Sequence, residues 1–372
     1  MFRYFEEELN AIKSQKLYRQ RSIVKDKKIF CSNDYLGMAK NEEIVDYVTQ
    51  HLRKINTIGA TGSSLVSGYT EYHEKLEHIL SKFKDKEDCI VFASGYCTNI
   101  GLLQALGDEK DAFYSDELNH ASIIDGIKLS KASKYIYRHS NMEELFGLLE
   151  KTRKNHRRAY IVSDSVFSME GDIVKLKELV EISKTFEAYL ILDEAHASAT
   201  VGKGIFDFYG LLPEENVILM GTLSKAIGSQ GGFVCADKIV IDYLVNKARS
   251  YIFSTALGLP MVLSSIKALE LITANLNMYT KALRQRTKTI LNIVKECGFE
   301  TKDDWDSPII PIRIGKEDKA IALKDKLLEK NIFIQAIRYP TVPKNKAILR
   351  LTSSLSYTEE DVNCLNMALK SL

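Results

Sequence analysis

The sequence predicts an α/β protein. A mainly parallel sheet, with helices on both faces, is followed by a smaller α+β domain at the C-terminal end. Three observations carry this reading. Short apolar runs alternate with helix-period segments from about residue 45 to 260. From about 261 the alternation stops, and two successive helical segments precede further strands. The chain has 372 residues, enough for two cores. Strands alternating with helices form parallel sheets, because each crossover helix returns the chain to the same end of the sheet.

Taken in order, residues 1–44 read as an N-terminal arm. The arm holds a helix over Phe5–Lys16, a basic segment, then Ile29–Gly37. Over 45–260, strands are expected at Cys89–Ala93, Ala112–Tyr114, Lys134–Arg138, Ala159–Ser163, Tyr189–Asp193, Val217–Met220 and Gly232–Ala236. Helices are expected at Tyr96–Leu106, Ile123–Lys131, Met142–Lys154, Leu176–Phe186 and from Ile239. Leu176, Leu179, Val180 and Ile182 give one of these its apolar stripe. Over 261–372, helices Met261–Thr273 and Tyr279–Glu296 lead to strand Ile309–Ile314 and helix Lys319–Lys330. Strands Ile332–Ile337 and Ala347–Leu351 and helix Glu359–Leu372 complete the chain, the last with Val362, Leu365 and Leu369 on one face.

Composition narrows the function. A net charge of +2 gives no basic surface for nucleic acid or a membrane. No apolar run approaches the roughly 20 residues of a membrane span, and the acidic start, Glu6-Glu7-Glu8, lacks a signal-peptide core. Six cysteines with no Cys-x-x-Cys pair argue against a zinc site and against a disulfide framework. A cytoplasmic enzyme with reduced thiols and no metal is expected.

The chemistry concentrates at strand ends. Lys225, in Thr222-Leu223-Ser224-Lys225, follows the apolar run Val217–Met220. An amine there sits where charge is costly, so its pKa falls and it can form a Schiff base with an aldehyde. Asp193 ends an earlier strand, in Asp193-Glu194-Ala195-His196. Either motif alone is ordinary, since an isolated Ser-Lys is usually surface and an isolated Asp-Glu usually a cap. Together they are the pair a pyridoxal-phosphate site needs: a lysine to carry the cofactor and a carboxylate to hold its pyridine nitrogen protonated.

Other motifs have plainer readings. Asp193–His196 also spells a helicase box, but Gly202-Lys203-Gly204 lacks the Ser or Thr of a phosphate loop. His73 and His78 are five apart, do not share a helix face, and read as a solvated pair. Gly228–Gly232 precedes a strand and reads as a turn. Ser94-Gly95-Tyr96 joins a strand to a helix and offers free N–H groups to a phosphate. Tyr96 suits a cofactor ring or the core equally, and His120 alone would be a surface histidine. Ser168 follows a strand in a loop. These loops all fall at carboxyl ends of strands, where open α/β sheets bind ligands.

Over nearly its whole length, from Asn33-Asp34-Tyr35-Leu36-Gly37 to Arg350, the chain resembles the α-oxoamine synthase family of fold-type-I pyridoxal-phosphate transferases. Matching segments are Gly59–Ser64, Ser67-Gly68-Tyr69, Ser94–Tyr96, Asn119–Ser122, Phe167–Asp172, Asp193–His196 and Thr222–Lys225. Ala336–Pro343 is similar to the segment of the branch that condenses L-alanine with a pimeloyl thioester in biotin synthesis. Tyr339 stands where that branch usually has proline, and Ser353–Tyr357 replaces a run richer in alanine and histidine.

The resemblance implies residue roles. Lys225 would carry pyridoxal 5'-phosphate and then take the α-proton. Asp193 would pair with the pyridine nitrogen, His196 and Ser168 would bond the phenolic oxygen, and His120 would stack on the ring. Gly95, Tyr96 and Thr222 would hold the cofactor, Thr222 at its phosphate. Arg350 would bind the amino acid carboxylate; Arg19 and Thr341 would meet the acyl substrate. The family is homodimeric, so Ser254 and Thr255 would reach a neighbour's phosphate. The acyl donor is pimeloyl-CoA or pimeloyl-acyl-carrier protein, and carbon dioxide leaves after condensation. Alternatives are a sister synthase using glycine with acetyl-CoA or serine with a long acyl chain, an aminotransferase or lyase of the same fold, and a silent partner subunit.

Overall fold

The computed structural model describes residues 2–15, 17–21, 23–304 and 306–372. The first helix spans Arg3–Ser14; Lys16, the expected end of that helix, lies outside the described residues. Strand β1 (Lys28–Ile29) lies within the arm. Then come β2 (Asp88–Phe92), β3 (Ala112–Asp116), β4 (Ser133–Tyr137), β5 (Ala159–Asp164), β6 (Tyr189–Asp193), β7 (Val217–Thr222) and β8 (Gly232–Ala236). They form one seven-stranded sheet in the order β2-β8-β7-β6-β5-β3-β4. Strands β3 to β7 pair in parallel, and β8 runs antiparallel to both neighbours. Every residue of β3, β5, β7 and β8 is buried, which is why these strands read as unbroken apolar runs.

The C-terminal part holds β9 (Ile309–Gly315), β10 (Ile332–Phe333), β11 (Gln335–Ile337) and β12 (Ala347–Thr352). Strands β11, β12 and β9 form an antiparallel sheet. The single strand expected over Ile332–Ile337 is two: β10 pairs in parallel with β1 of the arm, and β11 pairs with β12. A partner from 300 residues upstream leaves no local mark, so short-range pattern merges the two. Phe30, beside β1, is buried in the C-terminal core with Ile310, Leu349 and Leu351.

The two helices expected after residue 261 are present; they run on as a kinked rod, Leu259–Glu296, and meet at Asn275, where φ is −129° and ψ is 21°. The Asn275 amide donates to Leu271 O at 3.1 Å, competing with the backbone ladder at the break. The rod is long and apolar enough to cross a membrane by composition. Its Val262, Ile266, Leu269 and Ile272 are instead buried in the core. The expected solvated histidine pair is also corrected. His78 is exposed, but His73 is buried, with Nε2 on Leu257 O at 2.8 Å and Nδ1 on Thr70. It closes a capping box at the start of helix Glu71–Phe83, so its ring belongs to the helix start, not to solvent.

Candidate active site

Asp193, Lys225, His196 and His120 are set by the carboxyl ends of parallel strands and the loops that follow them. Asp193 is the last residue of β6 and is 4% exposed. Its Oδ1 accepts from Ala195 N at 2.9 Å and its Oδ2 from Asn99 Nδ2 at 2.7 Å. Lys225 lies three residues past β7, in a turn closed by Gly228 N donating to Lys225 O at 2.9 Å. Gly228 has φ +73°, and a Cβ there would stand 2.4 Å from Ala39 N, so only glycine lets the arm pass this turn. Burial pushes the Lys225 amine down to about 8 from 10.5; the Asp193 and Asp164 carboxylates oppose that shift, and the Arg350 guanidinium adds to it.

His196 is buried, and its Nδ1 lies 2.7 Å from the Tyr35 hydroxyl. Burial, then the cations Lys225 and Arg350, hold it well below the usual histidine range, as a neutral ring. Arg350, on β12, is 6% exposed; its Nε donates to Ser168 O at 2.6 Å and its Nη1 to Asn33 Oδ1 at 3.1 Å. It thereby ties the C-terminal sheet to the loop after β5 and to the arm. His120 caps the start of helix Ala121–Leu129. Its ring meets Tyr96 edge to face at 6.5 Å, and its backbone N–H donates to Asp164 Oδ2 at 2.8 Å.

Gly95 opens helix Gly95–Leu106, whose N-cap Ser94 accepts from Cys97 N. A Cβ on Gly95 would stand 3.3 Å from Thr222 Oγ1, so the helix start and Thr222 face each other across space a side chain would fill. Thr222 Oγ1 donates to Gly231 O and lies 2.8 Å from Ser224 Oγ. Tyr96 is half exposed and its hydroxyl bonds Asp125. Ser254 and Thr255 lie elsewhere, between helix Arg249–Ile252 and the rod; among the described residues no hydrogen bond joins them to Lys225, Asp193 or Thr222. The next residue, Ala256, donates its N–H to Gly62 O. Arg19 and Thr341 line one cavity of about 1030 Å³ between the arm and the C-terminal sheet. That cavity does not include Lys225; it reaches toward the cluster through Gln335, which pairs with Arg350.

Several residues that support the cluster are given no role by the sequence. Asn99, one turn into an apolar helix, holds Asp193. Tyr35 holds His196. Asp164 pairs in register with Asp193 across β5 and β6, and burial and the neighbouring negative charge push its carboxyl well above the usual range. His139 bridges Asp116 and Asp172, clamping the loop that carries Ser168. Burial opposes its charge, but the two carboxylates outweigh burial and push it up to about 10.

The chain matches the model of the family described as aminotransferase class I and II over residues 25–366. It is 38% identical over 383 residues to 8-amino-7-oxononanoate synthase of Thermoanaerobacter pseudethanolicus, covering 99% of this chain and 95% of that one. It is 48% identical over 370 residues to a protein of Aquifex aeolicus that bears the same name provisionally, covering 100% and 98%. The chain belongs to the class I and II aminotransferase family, in its α-oxoamine synthase branch. Among solved structures it resembles serine palmitoyltransferase of Sphingomonas wittichii, with a TM-score of 0.91 at 26% identity over 100% of this chain and 96% of that one. It also resembles 8-amino-7-oxononanoate synthase of Francisella tularensis, with a TM-score of 0.76 at 29% identity over 92% and 97%. The fold is that of fold-type-I pyridoxal-phosphate transferases, and the chain is a pyridoxal-phosphate enzyme of the acyltransferase type.

The residues fit that cofactor. The donor set offers a depressed amine, a buried aimed carboxylate and a neutral histidine, and the Gly95–Thr222 space gives a helix N-terminus for a phosphate. One pH dependence follows. Only the neutral amine attacks an aldehyde, so recombination of apoprotein with pyridoxal phosphate should quicken about tenfold per pH unit up to about pH 8 and level off above. Stopped-flow absorbance from pH 6 to 10 measures this. A rate still climbing at pH 10 would mean that Lys225 titrates as an ordinary lysine.

Proposed function

We propose that the chain condenses L-alanine with a pimeloyl thioester, with loss of carbon dioxide, to give 8-amino-7-oxononanoate. The observation that carries the acyl choice is the arm cavity. It is lined by the cations Arg19, Lys25, Lys27, Lys324 and Arg338, with no Asp or Glu among the described residues of its lining. Apolar walls, among them Ile23, Val24, Leu328 and Phe333, complete it. Methylenes between apolar walls and a carboxylate among cations are what a dicarboxylic acyl chain presents.

Lys225 anchors the cofactor and its Nζ moves the α-proton. Bound pyridoxal phosphate supplies the electron sink for negative charge at the amino acid Cα. Asp193 holds the proton on the pyridine nitrogen. His196, kept neutral, and Ser168 meet the phenolic oxygen. Gly95, Tyr96 and Thr222 seat the cofactor, Thr222 at the phosphate. His120 covers the ring face. Arg350 binds the alanine carboxylate: Nε and Nη1 are already engaged, which orients the guanidinium and leaves Nη2 for the substrate. Arg19 and Thr341 hold the acyl end. A homodimer lets Ser254 and Thr255 serve the partner's phosphate, which accounts for their separation from Thr222 in this chain. The relatives are bacterial and archaeal biosynthetic enzymes, and a cytoplasmic setting accords with that.

A second reading has one observation behind it, the higher TM-score to serine palmitoyltransferase. Thiol release measured over a panel decides between them: alanine, glycine and serine, each with pimeloyl, acetyl or palmitoyl thioester. Alanine with pimeloyl should be fastest, and Arg19→Ala should raise the KM for pimeloyl thioester about tenfold or more while leaving alanine binding nearly unchanged. Faster release with serine and palmitoyl thioester would replace this reading. Running the panel with coenzyme A and carrier-protein thioesters identifies the carrier.

A further inference from the structure

Asn99, which holds Asp193, and Ser122 have no role toward cofactor or substrate above, yet both are almost wholly buried beside Asp193 and His120. Asn99 Nδ2 lies 2.7 Å from Asp193 Oδ2 and 2.9 Å from Ser122 Oγ. Ser122 Oγ lies 2.7 Å from His120 Nδ1, and the Ser122 N–H reaches the same nitrogen at 3.3 Å. The protons along this chain can be placed in order. A carboxylate oxygen only accepts, so the Asn99 amide must turn its NH₂ toward Asp193; the reverse would oppose two sets of lone pairs. The second N–H of that NH₂ then donates to Ser122 Oγ. The hydroxyl still has a second lone pair, so this bond alone does not set its direction toward His120; the Ser122 backbone N–H, which can only donate, requires a free lone pair on Nδ1, and the hydroxyl proton then turns to the same nitrogen. Nδ1 receives two donors, so the ring proton must sit on Nε2.

We propose that Asn99 and Ser122 are positioning residues that fix His120 in its neutral Nε2–H tautomer through a hydrogen-bonded chain beginning at Asp193. The neutral ring places no cation beside Lys225 and leaves Nε2–H as the donor for a bound substrate. The catalytic meaning rests on the cofactor reading above. The tautomer itself does not, so the two can fail separately.

The test is nuclear magnetic resonance of the holoenzyme labelled with [15N]histidine, with His120→Gln assigning the resonance. Wild type should show one protonated nitrogen, Nε2, and an unprotonated Nδ1. Ser122→Ala should give a mixture of tautomers, and Ser122→Thr, which keeps the hydroxyl, should restore Nε2–H. Asn99→Ala, which frees the hydroxyl rotor, should shift the mixture in the same direction as Ser122→Ala. Turnover of Ser122→Ala should fall about tenfold with little change in KM for the amino acid, the size of one lost hydrogen bond in a buried network. A wild-type spectrum with the proton on Nδ1 overturns the proposal whatever the variants do. So does a Ser122→Ala protein that keeps its cofactor absorbance and the wild-type tautomer.

Discussion

Lys225→Ala should abolish turnover while leaving a folded protein that still binds pyridoxal phosphate without a covalent bond. The lysine is asked to do two things, and both are lost together. In the proposed mechanism it anchors the cofactor, and its neutral amine moves the α-proton; proton transfer alone accounts for roughly 10²–10⁴ in rate. The environment supports both tasks. An amine pushed down to about 8 has a sizeable neutral minority near pH 7.5, far more than an ordinary lysine, yet is still basic enough to accept a proton. Folding should survive, because Lys225 is only half-buried and the chain turn is closed by its carbonyl, not its side chain. Borohydride reduction of wild type followed by peptide mapping should label Lys225, and the variant should take no label. Label on another lysine, or turnover within tenfold of wild type in Lys225→Ala, would remove this residue from the centre of the site.

Much of this arrangement was legible in the sequence, for physical reasons that can be named. Strands β6 and β8 fall on the expected Tyr189–Asp193 and Gly232–Ala236, because strands buried on both faces must be apolar throughout and end where a polar residue appears. That rule also exposes the site, since the first polar residues beyond such strands lie at the ligand-binding end. Asp193 and the Thr222–Lys225 segment stand out for this reason alone. Strand β1 could not be found so: two residues paired with β10 have no periodicity to show. Helix Glu42–Ile55 was missed although its signals are local: Asn41, whose side chain accepts from Ile44 N, caps it, and Ile44, Val48, Leu52 and Ile55 recur at helical spacing.

What stayed hidden in the site is its support. Asn99 sits in a helix whose other buried residues include Gly101, Leu102, Leu103, Ala105 and Leu106, where one amide looks like noise. Asp164 ends a strand as Asp193 does, but nothing local distinguishes the carboxyl that is aimed from the one that is crowded. Tyr35 and Asn33 come from the arm, far along the chain from His196 and Arg350. Reactive groups can be read from a strand-end position, whereas the residues that orient them depend on contacts across 94 to 317 positions of sequence.

Asp193→Asn should bind the cofactor and lose most of its turnover, about 10²–10³ in kcat. The substitution is nearly isosteric. The amide can keep an acceptor toward Asn99 Nδ2, or toward Ala195 N, but its NH₂ group must then face the other donor, so some local rearrangement is expected. The larger loss is electrostatic. A neutral amide cannot hold a proton on the pyridine nitrogen, and removing one aimed charge from a site closed to water costs about 2.7–4 kcal/mol in comparable cases. The neighbouring Asp164 does not rescue it. Losing Asp193's negative charge should let the Asp164 carboxyl ionise more readily, but its Oδ2 is bound to the His120 N–H and its position is set by Asn119. The measurements are single-turnover rates and the cofactor absorbance of the variant against wild type from pH 6 to 9. Near-normal turnover would make Asp193 a cap for the Ala195 turn and nothing more. A loss of cofactor binding as large as the loss of rate would instead mean that the carboxylate acts mainly by holding the cofactor in place.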